Sequence, residues 1–359
     1  MDYFPHDPKL PIHILSSCLK DTSTSYKYYW FLSILEAIEQ GEQTIEKRSL
    51  FIRMIANSWY TINYFNVYYG AQDKLHKAVK QLIVTEDITI DEKKSVIVDR
   101  LLRTSNKATL RSISHFDGEV PYRFLSPWFP KIKGNKREIY ELSQVFANDT
   151  IYAVDETVIR INPKWISYLY QNSGILKAFC LWKLCLYLQR LNPNVPDIAN
   201  KLVKPPGRSS LLKQKKEFWD IVISETGPVT CIYTNKQLDI GKYAVEHFVP
   251  FAFVSHDLMW NLVPADTIFN SSKSDKLPLL DLYFNDFFDL QYKALKTIYR
   301  VRPETKLLQD YLGFLPDLSL LQTITPADLK HRFLDSIQPL VTIASNNGFE
   351  FMSVKQSWS

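Results

Sequence analysis

The sequence has few cysteines, and their spacing argues against two kinds of cross-link. Four occur in 359 residues, at Cys18, Cys180, Cys185 and Cys231, and no two of them form a CxxC pair. A disulfide framework needs a denser set of cysteines, and a structural zinc site needs paired ligands at short spacing. We therefore expect neither disulfides nor a structural zinc, and we expect a protein of the reducing cytoplasm.

The sequence also lacks long apolar runs. The longest, at 28–35 and 174–188, are too short for a membrane span or are interrupted by Lys177 and Lys183. The first ten residues contain Asp2 and two prolines, where a secretory signal needs a basic end followed by an apolar stretch. We expect a folded, soluble protein that is not exported and has no contact with membranes.

What the chain does contain is mainly helical pattern. Apolar residues recur at helical spacing, with glycine or proline after several of the segments. The predicted helices span 23–40, 46–69, 91–102, 165–191, 280–299 and 328–343. A weak alternation over 151–161 predicts a short hairpin, the only sheet expected in the N-terminal region. The aromatic run 28–31 lies at helical spacing and is interpreted as core, not as a base-stacking surface.

The clearest domain boundary lies in 192–207, where four prolines and a glycine interrupt the helical pattern. We predict a helical domain over 1–200, a smaller unit over 201–280 and a C-terminal helical region over 281–359. No internal repeat and no low-complexity tract is visible in the sequence.

The net charge of +5 is too small to identify a nucleic-acid binder, but the charge is unevenly distributed. The run 201–216 has six basic residues and no acid. They are Lys201, Lys204, Arg208, Lys213, Lys215 and Lys216. Such a run can grip backbone phosphates, and a solvated helix face or linker is the alternative interpretation.

Residues 231–273 contain the side chains that phosphodiester hydrolysis requires. The reaction needs a metal to hold the phosphate, a base to activate water and a cation to offset charge. His247 has an imidazole that can accept a proton near pH 7. Glu246 and Asn270 offer hard oxygen ligands suited to Mg²⁺ (or Mn²⁺). Lys273 follows Asn270 by one helical turn, which puts its ammonium on the same face and within reach of the phosphate. On a strand, Glu246 and His247 would point to opposite faces.

The order of these residues resembles the ββα-metal fold of HNH endonucleases, most closely the HNH domain of RNA-guided CRISPR nucleases. The segments carrying the resemblance are Val245-Glu-His-Phe-Val-Pro250, Trp260-Asn-Leu-Val-Pro264 and Asn270-Ser-Ser-Lys273. The resemblance implies that Glu246 and Asn270 are metal ligands, that His247 is the general base and that Asn261 orients the loop and the histidine. It implies that Lys273 is the lysine that follows the second ligand.

The resemblance covers roughly residues 228–280, and the sequence departs from the family pattern twice. Cys231-Ile-Tyr-Thr234 stands where many members have a CxxC zinc knuckle, so Cys231 is interpreted as a buried residue. Glu246 stands where aspartate is commoner. His256, beside Asp257, is the competing histidine, and we expect this pair to cap a helix. No acidic motifs of the second, RNase H-like nuclease of CRISPR effectors are visible.

The expected protein is therefore mainly α with a small ββα-metal unit, and its function a metal-dependent endonuclease with DNA favoured over RNA. The residues expected to contact backbone phosphates are Lys204, Arg208, Lys213, Lys215 and Lys216. One such centre cuts one strand, so double-strand cleavage would need a homo-oligomer or a second nuclease. Free-standing HNH proteins with added helices resemble bacterial anti-phage defence or restriction components that work with an ATPase or sensor protein. The alternative is a non-cleaving nucleic-acid-binding or scaffold protein that keeps the fold.

Overall fold

The computed structural model describes residues 4–20, 22–132, 134–202 and 210–353. The chain separates into two compact units, one of Met1–Pro193 with Ile198–Lys204 and one of Asn194–Asp197 with Pro205–Ser359. Helices dominate both units and the sheets are small, which confirms the mainly α class. Among the described residues, no helix combines the length and apolar character that crossing a membrane requires.

The first unit is built from helices and one three-stranded sheet. Its helices are α1 Ile12–Ser17, α2 Tyr26–Glu39, α3 Lys47–Asn63, α4 Lys74–Thr85, α5 Lys94–Arg103, α6 Lys107–Ser114, α7 Val120–Leu125, α8 Lys136–Ser143, α9 Pro163–Gln171, α10 Ser173–Leu191 and α11 Ile198–Lys201. Its strands are β1 Thr44–Glu46, β2 Tyr152–Val154 and β3 Val158–Ile161. β3 pairs antiparallel with both neighbours. The sequence pattern predicted the β2–β3 hairpin but not β1, which has only three residues.

Helix α2 lies at the centre of the first unit and packs against α3, α7, α9 and α10. Its aromatic residues 28–31 are all buried, which confirms their interpretation as core. Polar atoms on these rings have partners, since the Trp30 indole donates to the Tyr152 hydroxyl at 3.0 Å and the Tyr29 and Tyr69 hydroxyls lie 2.5 Å apart. Burial without such partners would be unfavourable for each polar atom.

Two of the predicted helices have different bounds in the structure. The segment predicted over 46–69 is helical only to Asn63, because Asn66 adopts a left-handed conformation with φ of 50°. The segment predicted over 165–191 is interrupted at Asn172, whose φ of −103° ends α9 and precedes α10. Asparagine tolerates both conformations because its short side chain can bond to nearby backbone, as Asn172 does to the Tyr168 carbonyl.

The second unit places two small antiparallel sheets among helices. Its strands are β4 Val229–Thr230 paired with β5 Gln237–Leu238, and β6 Ala244–His247 paired with β7 Leu262–Ala265. Its helices are α12 Leu212–Gln214, α13 Asp220–Thr226, α14 Phe251–Val254, α15 Thr267–Lys273, α16 Leu280–Val301 and α17 Pro326–Asn346, with a π-helical turn at Lys215–Trp219. In chain order, β6, β7 and α15 form a ββα unit.

Helix α16 bonds to the backbone at the start of β7 through one buried glutamine. The Gln291 side-chain amide donates to the carbonyls of Met259 and Leu262, at 3.1 and 2.7 Å, and is fully buried. The Tyr311 hydroxyl donates to the side-chain oxygen Oε1 of Gln291 at 2.6 Å, so both the nitrogen and the oxygen of this amide are bonded. The segment 280–301 is therefore part of the packing that holds the start of β7 in place.

Candidate active site

Strands β6 and β7 hold Glu246 and His247 at the end of a short ladder. Glu246 lies opposite Val263 and His247 opposite Leu262. All four residues of β7 are buried, which anchors the pair, whereas Glu246 on β6 keeps a small exposed surface. The two neighbouring side chains contact different partners, as their alternation along a strand requires.

Asn261 fixes the chain immediately after His247. Its side-chain oxygen accepts from the Val249 N–H and its side-chain NH₂ donates to the Val249 carbonyl, both at 2.8 Å. Its own backbone carbonyl accepts from the Phe248 N–H at 2.7 Å. Asn261 is completely buried, so these bonds satisfy an amide that has no access to water. The arrangement is what a loop-orienting residue requires.

The His247 imidazole is 6% exposed and is held by two contacts. Its Nε2 lies 2.9 Å from Oδ1 of Asp257, and the Phe251 ring packs at 5.4 Å in an edge arrangement. Asp257 follows α14 in an irregular loop. The expectation that Asp257 and His256 cap a helix is wrong, because the 3-10 helix Met259–Asn261 begins after Leu258 and has no side-chain cap.

Lys273 lies beneath Glu246 as a buried cation. Its ammonium donates to Oε1 of Glu246 and to the His247 carbonyl, both at 2.8 Å, and the residue is 2% exposed. These contacts tie α15 to β6 and bring opposite charge to the Glu246 carboxylate. Both bonds direct the Lys273 ammonium into the protein. The expected contact of Lys273 with a phosphate stays a prediction.

The helix that carries Asn270 and Lys273 begins at a strong cap. Asp266 accepts from the Phe269 N–H at 3.0 Å, and its other oxygen lies 2.9 Å from the Lys236 ammonium. The hydrogen bond from Lys236, followed by that from Phe269, holds the pKa of Asp266 below its ordinary value. The carboxylate therefore stays ionised over a wide pH range and holds the first turn of α15, which follows β7.

Asn270 has a side-chain oxygen that is free to accept a further bond. Its side-chain oxygen is buried and has no hydrogen-bond partner. Asn270 precedes Lys273 by three residues and so shares its helix face, which contacts Glu246 on β6. A buried carbonyl oxygen without a donor is unfavourable unless another group binds it. One carboxylate and one amide oxygen are hard ligands that suit Mg²⁺ with several retained waters.

The part of the chain that the structure describes has no group of three or more His, Cys, Asp and Glu side chains able to hold a metal ion. A site formed by Glu246 and Asn270 does not require such a group, because water and phosphate oxygens complete the coordination of Mg²⁺. The residues present therefore fit Mg²⁺ or Mn²⁺ with few protein ligands.

Tyr233 borders this region from the first hairpin. Its ring stacks on Phe269 with centroids 4.5 Å apart, and its hydroxyl is buried without a hydrogen-bond partner. Burial, with a smaller effect of the nearby Glu246 carboxylate, raises the pKa of Tyr233 well above its ordinary value. The hydroxyl thus remains a neutral donor. Cys231 is buried, and its sulfur accepts from the Asp266 N–H at 3.4 Å, so it serves the packing of this hairpin.

The predicted phosphate-binding residues differ in their surroundings. Lys204 and Arg208 lie outside the described residues. Lys213 and Lys216 are exposed. Lys215 instead donates to the Tyr243 carbonyl at 2.6 Å, and its ammonium lies 4.4 Å from the centroid of the Tyr243 ring. Lys215 therefore attaches the basic segment to the start of β6, which spacing along the sequence could not indicate.

Two features of the site were not predicted from the sequence. Asp257 contacts the imidazole from ten residues away, and Gln291 bonds to the β7 segment from a helix outside the ββα unit. Neither residue lies at a spacing from His247 or Asn261 that secondary structure would explain, so only the fold brings them together.

Comparison with known proteins gives a match for one segment of the chain. No match was found among curated proteins or among solved structures. The family model described as HNH endonuclease matches residues 231–279, which include β5, β6, β7 and α15 with Glu246, His247, Asn261, Asn270 and Lys273. The match does not extend to the rest of the chain. Residues 231–279 are thus recognised as an HNH endonuclease segment, the part of this protein that points to a nuclease.

Proposed function

We propose that the protein is a metal-dependent endonuclease that hydrolyses phosphodiester bonds. The observation that carries the proposal is the buried connection between β6 and α15, in which Lys273 bonds to both Glu246 and the residue that follows it. This connection places the helix face that carries Asn270 and Lys273 against Glu246, the residue next to His247. The side-chain oxygen of Asn270, buried without a hydrogen-bond partner, is the second oxygen ligand that supports the proposal.

In the proposed reaction, His247 takes a proton from water as the water oxygen bonds to phosphorus. The bond from phosphorus to the leaving oxygen breaks, and that oxygen takes a proton from solvent. Glu246 and Asn270 would hold Mg²⁺ or Mn²⁺, which when bound supplies positive charge to the phosphate. Asn261 keeps the chain after His247 in place, and Lys273 keeps Glu246 oriented.

The proposal also specifies the nucleic-acid substrate and the cellular system in which the enzyme acts. DNA is favoured over RNA, with the exposed Lys213 and Lys216 on the approach to the ββα unit supporting a phosphate contact. A single centre cuts one strand, so cleavage of both strands requires a homo-oligomer or a second nuclease. We place the enzyme in a cytoplasmic bacterial defence or restriction system, with an ATPase or sensor protein as partner.

The test is a cleavage assay on supercoiled plasmid, single-stranded DNA and RNA with Mg²⁺ or Mn²⁺. His247→Ala should abolish cleavage in a protein that remains folded at the assay temperature and still binds DNA, and EDTA should stop the wild-type reaction. His331→Ala is the matched control, since His331 lies on the exposed surface of α17. Full activity in His247→Ala, or a wild-type protein that binds DNA without cutting any substrate, would favour the non-cleaving alternative.

A further inference from the structure

An acidic side chain from outside β6 lies beside the His247 ring. It is Asp257, on the loop between α14 and the 3-10 helix Met259–Asn261. The distance of 2.9 Å from its Oδ1 to Nε2 of His247 is that of a good hydrogen bond. The carboxylate is mostly buried, with 24% of its side chain exposed.

An ionised carboxylate can only accept a hydrogen bond, so the proton of this bond resides on Nε2 of His247. In a neutral imidazole the other nitrogen, Nδ1, then has the lone pair. We propose that Asp257 is a positioning residue that keeps His247 in the Nε2–H tautomer and leaves Nδ1 as the atom that accepts the proton from water. This inference rests on the proposed nuclease function.

The loop that carries Asp257 has anchors of its own. The Met259 N–H donates to the Asp310 carboxylate at 2.9 Å, and the Met259 carbonyl accepts from Gln291 at 3.1 Å. The Asn261 N–H donates to the Leu258 carbonyl at 3.0 Å. Because these bonds hold the loop without Asp257, the hydrogen bond between Asp257 and His247 is not needed to close the loop, and its removal should leave the fold intact.

The hydrogen bond between Asp257 and His247 also suits the charge that forms on the imidazole during proton transfer from water. When the O–H bond of water breaks, its proton goes to Nδ1 and the electron pair forms the new bond to phosphorus. The ring then carries a positive charge beside the Asp257 carboxylate, which stabilises it through the Nε2–H bond. The bond between phosphorus and the leaving oxygen breaks, and solvent water protonates that oxygen.

The first test observes His247 directly and does not depend on activity. The metal-free protein is labelled with ¹⁵N at its seven histidines, and His247→Gln assigns the resonances. We expect a protonated Nε2 whose proton is shifted downfield and exchanges slowly. Asp257→Ala should lose that signal, whereas Asp335→Ala, which removes an exposed carboxylate on α17, should keep it. A wild-type ring protonated on Nδ1 and not on Nε2 would overturn the inference.

The second test separates positioning from binding. Asp257→Ala should lower kcat about 100-fold with little change in KM, within the range of general-base contributions. Asp257→Glu, which keeps a carboxylate, should restore part of the rate, and the control Asp335→Ala, on the exposed surface of α17, should keep a kcat close to that of the wild type. If Asp257→Ala kept the wild-type kcat, the positioning role of Asp257 would be refuted, but the nuclease function would not. Absence of cleavage by the wild type would refute the nuclease function, and the NMR result would still decide the tautomer.

Discussion

At the scale of single residues, the centre depends on one buried ion pair. Lys273 has no exposed side-chain surface and Glu246 has 12%, so neither charge can be hydrated as it would be in the unfolded chain. Such a pair gains stability only where the geometry satisfies both groups, and removing one partner leaves the other as a buried charge. The second bond of Lys273, to the His247 carbonyl, makes the loss larger.

Lys273→Met is therefore expected to destabilise the second unit by about 3–5 kcal/mol. Urea unfolding in EDTA, followed by tryptophan fluorescence and by hydrogen exchange in α15, measures the change. Glu246→Gln with Lys273→Met should be more stable than Lys273→Met alone, because the double variant leaves no unpaired charge. Equal losses in the single and double variants would mean that the ion pair contributes nothing and that Lys273 acts through packing of its methylene groups.

At the scale of elements, the basic segment has two kinds of lysine. Lys213 and Lys216 extend from α12 and the π-helical turn into solvent, whereas Lys215 is fixed to Tyr243 at the start of β6. The Tyr243 hydroxyl in turn donates to Asp220 on α13 at 2.7 Å. Burial and the Asp220 carboxylate both raise the pKa of Tyr243, which keeps that donor protonated. Of these three neighbouring lysines, Lys215 therefore stabilises the fold, whereas Lys213 and Lys216 face solvent.

Lys213→Gln with Lys216→Gln should weaken DNA binding and reduce the slope of log K against log salt by about one for each phosphate that these lysines neutralise. Anisotropy titrations of a labelled duplex at several salt concentrations measure the slope. Lys215→Gln is the matched control, and it should lower the unfolding midpoint while leaving the slope close to that of the wild type. A slope unchanged in the double variant would remove these lysines from the DNA interface.

Elements also mark the limit of what the sequence could predict. The order Glu246-His247, Asn261, Asn270 and Lys273 indicated the ββα unit through its resemblance to HNH endonucleases, and the family match covers these residues. The strand β1 and the break at Asn172 were missed, since three residues carry no periodicity and one asparagine gives only a weak signal. Asp257 and Gln291 act across loops and helices, and no local spacing encodes such contacts.

At the scale of the whole molecule, two buried carboxylates, one in each unit, are satisfied in different ways. In the second unit Glu246 is paired with a cation, whereas in the first unit Asp73 accepts from uncharged donors, the backbone N–H groups of Ser25 at 2.7 Å and of Leu75 at 2.9 Å. The second of these bonds caps α4. Neighbouring tyrosine hydroxyls, including those of Tyr29 and Tyr69, bring no positive charge.

The burial of Asp73 without a cation predicts a pH dependence of the stability of α4, where this carboxylate is the cap. Burial raises the pKa of Asp73 to about 6 from its ordinary 3.8, so the folded state favours the protonated acid. The resulting stabilisation is fully present below the ordinary value and is lost as the pH rises through about 6. Hydrogen exchange of α4, corrected for intrinsic rates, should therefore show protection that falls between about pH 4 and 6.

Asp73→Asn should remove most of that slope, because an amide cannot ionise and its oxygen can still accept from the Leu75 N–H. Peptides from α16 in the second unit give the internal reference, and their protection should not follow the same curve. If α4 and α16 lost protection together, and did so equally in Asp73→Asn, the pH dependence would belong to the net charge of the chain and not to the burial of one carboxyl group.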